Sequence, residues 1–512
     1  MTLIGLIAFP FLGGLLAWFA ARIFPKAGHF VSLLVLSLSI AAIFMAWLQG
    51  ESSTSMEDLW MLEWRWMWLP AWGIEIHLGL DGLSYILLLL TYIMGFIAVV
   101  VSKNQITHSP GLFHFCLLWM VSGVAGILLS LDLFLFFIFW EVVLIPLYLM
   151  VIIWGHKNRI FATVQFFIFT QASGLLLFLA ILALVFVHHA QVGVYTFDYD
   201  QLINTSLPYP LSIWILMGFL LAFLVKLPVF PFHVWMAPLF AESMCAPLLI
   251  GIMVKTGAYG LLRFVLPLFS SDIAMIAPLM TILGIISIVY GAVLAFAQND
   301  PFKILAYSTL SHMGLILIGI FSQDKLALSG VVVLLVSQAL STGGLLMLFS
   351  HLKTSLPDLD LQKVGGLFKV VPGVTVLSLF FVMASVGLPG LGNFVGEWLV
   401  LLGILSTNWL NAIFAASGIV LGAIYSLWLV QRLFYGAYKS GSDREILDVS
   451  AGQKAMYGFM ILLLIGIGFF PAPLLDVVST VWQEKAPDVD DEILLPQISL
   501  KQNIKSSLGD GL

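Results

Sequence analysis

The amino-acid sequence predicts an all-α membrane protein that crosses the bilayer many times. Of its 512 residues, 61% are hydrophobic and 9% are charged, whereas a soluble domain has about 45–50% apolar and about 25% charged residues. Apolar blocks of about 20 residues, the length that one crossing needs, recur from residue 3 to residue 475 with short polar breaks between them. Little of the chain is left for a soluble domain, and the composition excludes a soluble enzyme.

The apolar blocks predict about fourteen transmembrane helices, numbered here as spans 1 to 14. The N-terminal block lacks the basic region and the cleavage site of a removable signal peptide, so it is predicted to be a retained span. In order, the spans are predicted at residues 3–22, 29–49, 81–102, 111–130, 133–154, 160–188, 211–232, 246–267, 273–297, 303–321, 326–351, 373–405, 409–433 and 453–475.

The basic residues are unevenly divided between the two sets of connections. Most of the 21 Lys and Arg residues lie in connections from odd-numbered to even-numbered spans, including Arg22, Lys103 and Lys353. The opposite loops contain only Arg65 and Lys325, and a few further lysines lie in the tail. Because basic loops remain in the cytoplasm, both termini are predicted to lie outside, in the periplasm if the membrane is a bacterial inner membrane.

Two polar segments lie outside the spans. Residues 51–68, ESSTSMEDLWMLEWRWMW, are acidic and rich in tryptophan, and they are predicted to form an interfacial loop with its rings at headgroup level. The tail from Val481 is polar and is predicted to be flexible or docked on a neighbour.

Spans 7 and 12 are predicted to be broken helices. Span 7 contains VKLPVFPFHVW and span 12 contains VGLPGLGNFVGEW. Pro228 and Pro389 have no amide hydrogen and leave a carbonyl free one turn earlier, and such carbonyls must face protein or water at membrane depth. The two breaks lie five spans apart, so spans 4–8 and 9–13 run in opposite senses, as in the inverted repeats of transporters.

This repeat divides the chain into four predicted segments. Residues 1–110 carry spans 1–3, residues 111–267 form the first inverted repeat, and residues 268–440 form the second. Residues 441–512 carry span 14 and the polar tail.

Ionisable residues inside the spans predict an ion path. An ionisable side chain at the bilayer centre costs about 2.5–3.5 kcal/mol or more, so it usually faces the bundle interior and lines such a path. A pair between Glu141 and Lys226 would stabilise both charges, and its separation would release the lysine proton. Lys255 and His312 would pass protons onward, and Glu397 would be the exit or the next acceptor. The five residues are Glu141, Lys226, Lys255, His312 and Glu397.

Other features of the sequence set limits on this prediction. Arg263, near the outer end of span 8, is predicted to be an interfacial anchor whose charge reaches the headgroups. The sequence has no P-loop or Rossmann fingerprint, and neither Cys116 nor Cys245 has a C-x-x-C partner. We therefore expect no cofactor and no metal in this chain, and no nucleic-acid partner. Proton movement must be exchanged against another ion or driven by a partner.

Several motifs resemble those of the antiporter-like, M-type subunits of respiratory complex I, NADH:quinone oxidoreductase. They include IHLGLDGLS, FFIFWEVVLIPLYLMVIIWGHK, VKTGAYGLLRF, AFAQNDPFKILAYSTLSHMG and GLPGLGNFVGEW, and the resemblance extends over nearly the whole chain. It implies fourteen core helices, two inverted five-helix repeats and proton translocation driven by quinone chemistry elsewhere. The complex would use NADH, FMN, iron–sulfur clusters and quinone, and the partners would be other membrane subunits, including homologous antiporter-like ones, in the lipid bilayer.

The resemblance also implies roles for individual residues. Glu141 and Lys226 match the family's glutamate–lysine pair, Lys255 and His312 its central relay, and Glu397 the acidic residue of the second half-channel.

The chain departs from the family at three places. After Lys226 the family usually has H-x-W-L-P-D-A-H, whereas HVWMAPLFAE keeps His233 and Trp235 but neither the aspartate nor the second histidine. The family has a basic pair after the aspartate at the start of span 10, whereas this chain has DPFK, in which Lys303 is the only basic residue. Gln338 stands where span 11 of the family has a histidine, and an amide does not exchange protons at ordinary pH.

These departures leave two alternatives to a complex I subunit open. One is an M-like paralogue in a cation/proton antiporter, a membrane-bound hydrogenase or an inorganic-carbon uptake complex. The other is a membrane scaffold that has lost transport.

Overall fold

A computed structural model of the chain describes residues 3–24, 26–53, 60–243, 252–356, 358–439 and 446–483. These residues form a bundle of membrane helices with one two-stranded sheet. Within them, 11 helices are long and apolar enough to cross a membrane, and three shorter apolar helices are Leu211–Lys226, Pro372–Ser385 and Gly392–Thr407. The predicted polytopic α-helical fold is confirmed, and the exact number of crossings stays a prediction.

Ten of the predicted spans contain one continuous helix. They are spans 1 to 4, 6, 9 to 11, 13 and 14, and their helices are Leu3–Ile23, Ala27–Ser53, Gly82–Gln105, Pro110–Leu129, Arg159–Val192, Ser270–Ala297, Pro301–Phe321, Lys325–Ser355, Trp409–Phe434 and Ala451–Phe469. Short helices Tyr199–Leu202 and Ala472–Gln483 lie between or after them. Span 14 ends at Phe469 rather than at residue 475, because Pro471 follows.

Polar caps explain where many of these helices begin. The carboxylate of Asp81 accepts a hydrogen bond from the amide of Ser84, and Asp132 accepts from Phe134 and Leu135 at the start of span 5. Asp300 and Asp324 cap spans 10 and 11 in the same way. Each cap satisfies a backbone donor that the first turn of a helix leaves free.

Four spans are interrupted. In span 7 the helix Leu211–Lys226 ends in a series of turns, and the short helix Met236–Glu242 follows beyond the span. Span 12 consists of Pro372–Ser385 and Gly392–Thr407, as the Leu-Pro sequences predict. Span 5 is also divided, into Leu133–Val142 and Leu144–Trp154, and span 8 is described from Val254 to Leu268 with a π-helical turn at Leu261–Val265. The sequence prediction treated these two as continuous.

Prolines account for the two additional interruptions. Pro146 and Pro267 cannot donate a hydrogen bond to the preceding turn, and π turns relieve such mismatches inside helices. Residues 246–251 of span 8, with Ala246 and Pro247, lie outside the described residues, as do Cys245 and the tail after Gln483.

The tryptophan-rich segment, which is predicted to form an interfacial loop, is in part a β-hairpin. Strand β1, Leu62–Leu69, pairs antiparallel with strand β2, Ile74–Leu80, with Arg65 opposite His77. Gly73, at φ 62°, closes the turn in a conformation that favours glycine. The amide of Leu131 bonds the carbonyl of His77, so the hairpin lies on the start of span 5.

Arg263 is buried, and the prediction of an interfacial anchor was wrong. Its side chain is 1% exposed, and its guanidinium forms a 2.5 Å ion pair with Asp81. It also donates to the hydroxyls of Ser84 and Tyr259 and lies 5.0 Å from the ring centre of Trp60. The partner, Asp81, lies at the start of span 3, far away in the sequence, and the aspartate therefore ties span 3 to span 8 at the hairpin end of the bundle.

We expect Arg263→Ala to lower the free energy of unfolding by about 3–5 kcal/mol, because it leaves the Asp81 carboxylate buried without its counter-charge. The measurement is denaturant unfolding of the purified chain in mixed micelles. Arg22→Ala, at an exposed position at the end of span 1, is the control. The double variant Asp81→Asn/Arg263→Met keeps the cap acceptor and should regain most of the loss; a double variant as unstable as Arg263→Ala would contradict this account.

Candidate functional site

Glu141 lies at the interruption of span 5. It precedes Val143, the residue between the two halves of the span, and its side chain lies near Gln171 of span 6. Gly174, one turn further along span 6, allows the close approach, since a Cβ there would lie 1.8 Å from Glu141 Oε1. Within the described part of the chain, Oε1 is buried and accepts no hydrogen bond. The carboxylate thus has one free acceptor inside the protein.

Lys226 lies at the break of span 7. It is completely buried and ends the first helix of the span. Its ammonium group donates to the carbonyl of Trp140 at 3.2 Å and lies 3.4 Å from the centre of the Trp140 ring. Both contacts are favourable for a cation in an apolar environment.

The predicted pair is close but not in direct contact. Trp140 and Glu141 are adjacent in the sequence, so the lysine contacts the residue next to the glutamate. Among the described residues, no ion pair within 4.0 Å joins Lys226 to Glu141, because the carbonyl and ring of Trp140 hold the ammonium group. The two charged side chains nevertheless interact through space.

The break beyond Lys226 is held by side-chain contacts. Pro228 and Pro231 interrupt the helix, and the indole of Trp235 donates to the carbonyl of Val225 at 3.0 Å. His233 lies among the rings of Phe230, Tyr290 and Tyr307, and its buried Nδ1 has no partner within the described residues.

Lys255 contacts Gln338, the residue that the resemblance places where the family has a histidine. Its ammonium group donates to Gln338 Oε1 at 2.8 Å, and both side chains are buried. Gly257, two residues further, lets span 8 approach the break of span 7, because a Cβ there would lie 2.5 Å from the amide nitrogen of Leu227. The structure thus joins the first repeat to span 11 of the second.

His312 and Glu397 meet at the break of span 12. His312 Nε2 lies 3.6 Å from Glu397 Oε1 and 3.3 Å from the carbonyl of Ser385, which is the carbonyl that Pro389 leaves free. His312 Nδ1 faces the carbonyl of Ser308 at 2.8 Å. Since both ring nitrogens face only acceptors, a ring with a proton on each nitrogen satisfies all of these contacts.

A small cavity adjoins this pair. Ser311, His312, Ser385 and Glu397 contribute to its lining. The space open to the centre of a water-sized sphere is about 20 Å³, enough for one water molecule. Gly387, at φ 78°, leaves room for the carboxylate, because a Cβ there would lie 2.3 Å from Glu397 Oε2.

The five predicted residues therefore form three groups. Glu141 and Lys226 flank Trp140, Lys255 binds Gln338, and His312 binds Glu397. The contact of Lys255 with Gln338 was not predicted, because their separation in sequence is large and glutamine gives no signal of its own.

The altered loop after span 7 is organised by other charged residues. Glu242 accepts a hydrogen bond from the amide of Asn158, and Lys353 donates to the carbonyl of Ala241 at 2.6 Å. Asp300 lies near Lys353, and burial raises the pKa of its carboxyl group. Lys303, which is partly buried, follows in the first turn of span 10. This basic end of the bundle lies opposite the hairpin.

A second charged cluster lies at the hairpin and was missed in the sequence. His77 Nδ1 lies 2.7 Å from Asp198 and His77 Nε2 lies 3.0 Å from Glu63. Arg65 bonds Glu63, Asp198 and Asp200. The ligand atoms of Glu63, His77 and Asp200 lie within 4.8 Å of one another, close enough to hold a metal ion. The single positive charge of the Arg65 guanidinium, which pairs with both carboxylates, offsets part of their negative charge.

The charge partners of Asp198 stabilise its ionised form. Burial opposes ionisation, but the hydrogen bond from His77 and the charges of His77 and Arg65 hold the pKa of Asp198 below its ordinary value. By contrast, burial raises the pKa of Asp132, which caps span 5 and accepts from the amide of Glu75 in strand β2, to about 6.

Comparison with known proteins gives consistent matches. Residues 130–422 match a family model described as NADH:quinone oxidoreductase/Mrp antiporter, transmembrane. The NADH-quinone oxidoreductase subunit M of Pseudomonas aeruginosa is 43% identical over 490 residues, which cover 93% of this chain and 96% of the relative. Subunit M of Escherichia coli K12 is 40% identical over 487 residues, with the same coverage of both chains.

A solved structure agrees in fold. One chain of respiratory complex I from Thermus thermophilus, determined with bound NADH, superposes with a TM-score of 0.83 at 28% sequence identity. The match covers 95% of this chain and 100% of that chain.

We expect the hairpin to loosen in acid. Because the pKa of Asp198 is depressed in the folded state, its contribution to stability is fully present above the unfolded value of about 3.9 and is lost as the pH falls through the depressed pKa. The measurement is hydrogen–deuterium exchange of residues 62–80, corrected for the intrinsic effect of pH. Asp198→Asn should remove this acid dependence. Asp358→Asn, which alters the exposed pair with Lys363, should leave it unchanged, and an equal effect of both variants would contradict the assignment.

Proposed function

Because the chain belongs to the family of NADH:quinone oxidoreductase/Mrp antiporter membrane subunits, we propose that it is a proton-translocating, antiporter-like subunit of NADH:quinone oxidoreductase. The observation that carries this proposal is the position of Lys226, a fully buried lysine at a helix break, with Glu141 beside it. Buried ionisable groups at discontinuous membrane helices are the usual elements of an ion path.

In the proposed complex, redox chemistry and proton translocation take place in different subunits. Redox chemistry with NADH, FMN, iron–sulfur clusters and quinone takes place in other subunits, and this chain translocates protons without a redox site of its own. Its partners are the other membrane subunits, including homologous antiporter-like ones. The membrane is the bacterial inner membrane, with the basic end of the bundle in the cytoplasm and both termini in the periplasm.

The first step of the proposed path is a switch at Trp140. Lys226 keeps its proton while the Glu141 carboxylate and the Trp140 carbonyl stabilise the ammonium form. When Glu141 moves away, burial in an apolar environment favours the neutral amine, and the proton leaves. The break at Pro228 leaves the end of the Lys226 helix free to take part in this separation. His233 and Lys303 support the entry of protons from the cytoplasm.

The later steps lead across the repeats. Lys255 receives the proton and releases it towards the His312–Glu397 pair, at the break that Pro389 creates. Gln338 accepts a hydrogen bond from Lys255 but does not itself take up the proton. The proton therefore passes Gln338 without being bound to it.

One observation favours a second candidate. The amide at position 338 replaces a group that titrates, which fits an M-like paralogue with altered transport or a scaffold that no longer pumps. The family description itself covers Mrp antiporters as well as NADH:quinone oxidoreductase. Copurification of an NADH-oxidising arm with the chain supports the complex I assignment, and its absence supports a paralogue.

We expect Glu141→Ala and Lys226→Ala to abolish proton translocation while the complex still assembles, because each removes one member of the switch. Translocation is measured by the acidification of proteoliposomes that contain the purified complex during NADH oxidation. Lys325→Ala, an exposed lysine at the start of span 11, is the control. Near-normal pumping by either variant would refute the switch.

A glycine substitution tests the position of Glu141 without removing its charge. In Gly174→Ala the added methyl group occupies the place of Glu141 Oε1, so we expect at least a severalfold lower rate of translocation. Gly458→Ala places its methyl group where no heavy atom lies within 4 Å and should be neutral. Equal rates in the two variants would show that the carboxylate need not remain at this place.

Gln338→His tests the divergence from the family. A histidine can take up and release a proton, which an amide cannot, so a higher translocation rate is expected if the amide limits transfer. A rate that stays the same or falls would show that the amide does not limit it.

A further inference from the structure

Span 8 carries a second buried charge beyond Lys255, closer to the hairpin. Lys255, Tyr259 and Arg263 follow one another at intervals of four residues, the spacing that places side chains on one face of a helix. A hydrogen bond joins the last two, because Arg263 Nε lies 3.3 Å from the Tyr259 hydroxyl and donates to it. All three side chains are buried. A series of buried polar groups therefore leads from Lys255 towards the hairpin end of the bundle.

The hydroxyl and the carboxylate at the end of this series are held by fixed partners. The Tyr259 hydroxyl donates to the backbone carbonyl of Leu128 at 2.9 Å. The guanidinium of Arg263 pairs with Asp81 Oδ2 at 2.5 Å and donates to the Ser84 hydroxyl at 3.3 Å. The other oxygen of Asp81 accepts a hydrogen bond from the amide of Ser84. Spans 3, 4 and 8 are thereby joined around one cation.

These contacts do not form a chain along which a proton can move. Such a chain requires that each group accept a proton on one side and release one on the other, whereas a guanidinium has five N–H donors, no acceptor, and is not deprotonated in proteins. The hydrogen of the Tyr259 hydroxyl points to a backbone carbonyl, which passes no proton on. A proton that arrived from Lys255 would also bring a second positive charge next to Arg263, where little water screens the repulsion.

Aromatic rings enclose the guanidinium group. Its central carbon lies 5.0 Å from the ring centre of Trp60 and 5.5 Å from that of Tyr259. The ring of Tyr199 lies 6.4 Å from Trp60 and 5.7 Å from Phe264, centre to centre. All of these rings are buried. They fill the space around the cation with apolar surface and leave it to the ion pair with Asp81.

The charged hairpin cluster lies beyond these rings. Tyr199 is near enough to feel the charges of both Arg263 and Asp200, and Asp200 pairs with Arg65, whose side chain is 41% exposed. Water therefore reaches the cluster. A proton carrier open to both sides of a membrane at once would let protons run back, so transporters open their sites to one side at a time.

We propose that Arg263 and Asp81, together with the Tyr259 hydroxyl, form a proton-tight seal between Lys255 and the hairpin side of the membrane. This inference rests on the proposed function, in which Lys255 carries a proton, and it explains why that proton leaves only towards the second repeat. A fixed arginine charge is a known means of excluding protons from a membrane pore.

The test measures passive proton flow through the complete complex in proteoliposomes without NADH. A pH step is applied outside, valinomycin and potassium ions hold the membrane potential at zero, and a pH-sensitive dye inside reports the decay. Asp81→Asn/Arg263→Met removes both charges and keeps the helix cap. We expect its decay to be at least about tenfold faster than that of the unaltered complex, which corresponds to a barrier lower by about 1.4 kcal/mol.

Three further variants separate a seal from a loosened fold. Adding Lys255→Met to the double variant should return the decay to the original rate, because the leak passes through Lys255. Arg263→Lys keeps a cation beside Asp81 and should stay tight. Asp358→Asn/Lys363→Met removes an exposed ion pair at the opposite end of the bundle and should also stay tight.

The outcomes distinguish this inference from the proposed function. A tight Asp81→Asn/Arg263→Met variant in an assembled complex would overturn the seal, and so would a leak that persists without Lys255 or that Arg263→Lys shows equally. Normal translocation during NADH oxidation in Lys226→Ala would overturn the proposed function itself, whatever the passive leak.

Discussion

Hydrocarbon offers no hydrogen bonds, and this constraint determines how every charge in the bundle is held. An ionisable side chain in a membrane protein is stable only where other protein groups or water take the place of bulk solvent. Helix interruptions supply such groups because they free backbone carbonyls. Lys226 uses the carbonyl of Trp140, next to the interruption of span 5, and His312 approaches the carbonyl of Ser385, at the interruption of span 12. The helix interruptions and the buried charges therefore occur at the same places in the bundle.

The two repeats apply this solution with different chemistry. In the first repeat an aromatic ring and a carbonyl lie between the lysine and the glutamate, whereas in the second repeat His312 faces Glu397 at 3.6 Å. Inverted symmetry therefore extends to the positions of the breaks and not to the contacts of the charged groups. Lys255, bound to Gln338, lies between these two arrangements and connects the repeats.

The sequence alone predicted the features that depend on local composition. Long apolar blocks predicted the spans, Leu-Pro predicted the breaks of spans 7 and 12, and lone ionisable residues in apolar runs predicted the candidate site. It failed where the decisive partner is distant. Arg263 looked like an interfacial anchor because nothing near it in the sequence shows that Asp81 folds against it. The hairpin was missed, although strand β1 alternates charged and aromatic residues, because its tryptophans are also typical of an interfacial loop.

The contact of Lys226 with Trp140 has a consequence for observation. An indole whose face lies 3.4 Å from an ammonium group feels the electric field of that charge, and the field disappears when the lysine becomes neutral. The ultraviolet absorption of this one ring is therefore tied to the protonation state of the lysine beside it. The protein thus contains a chromophore at the proposed switch, and a change in the protonation of Lys226 would have an optical signature.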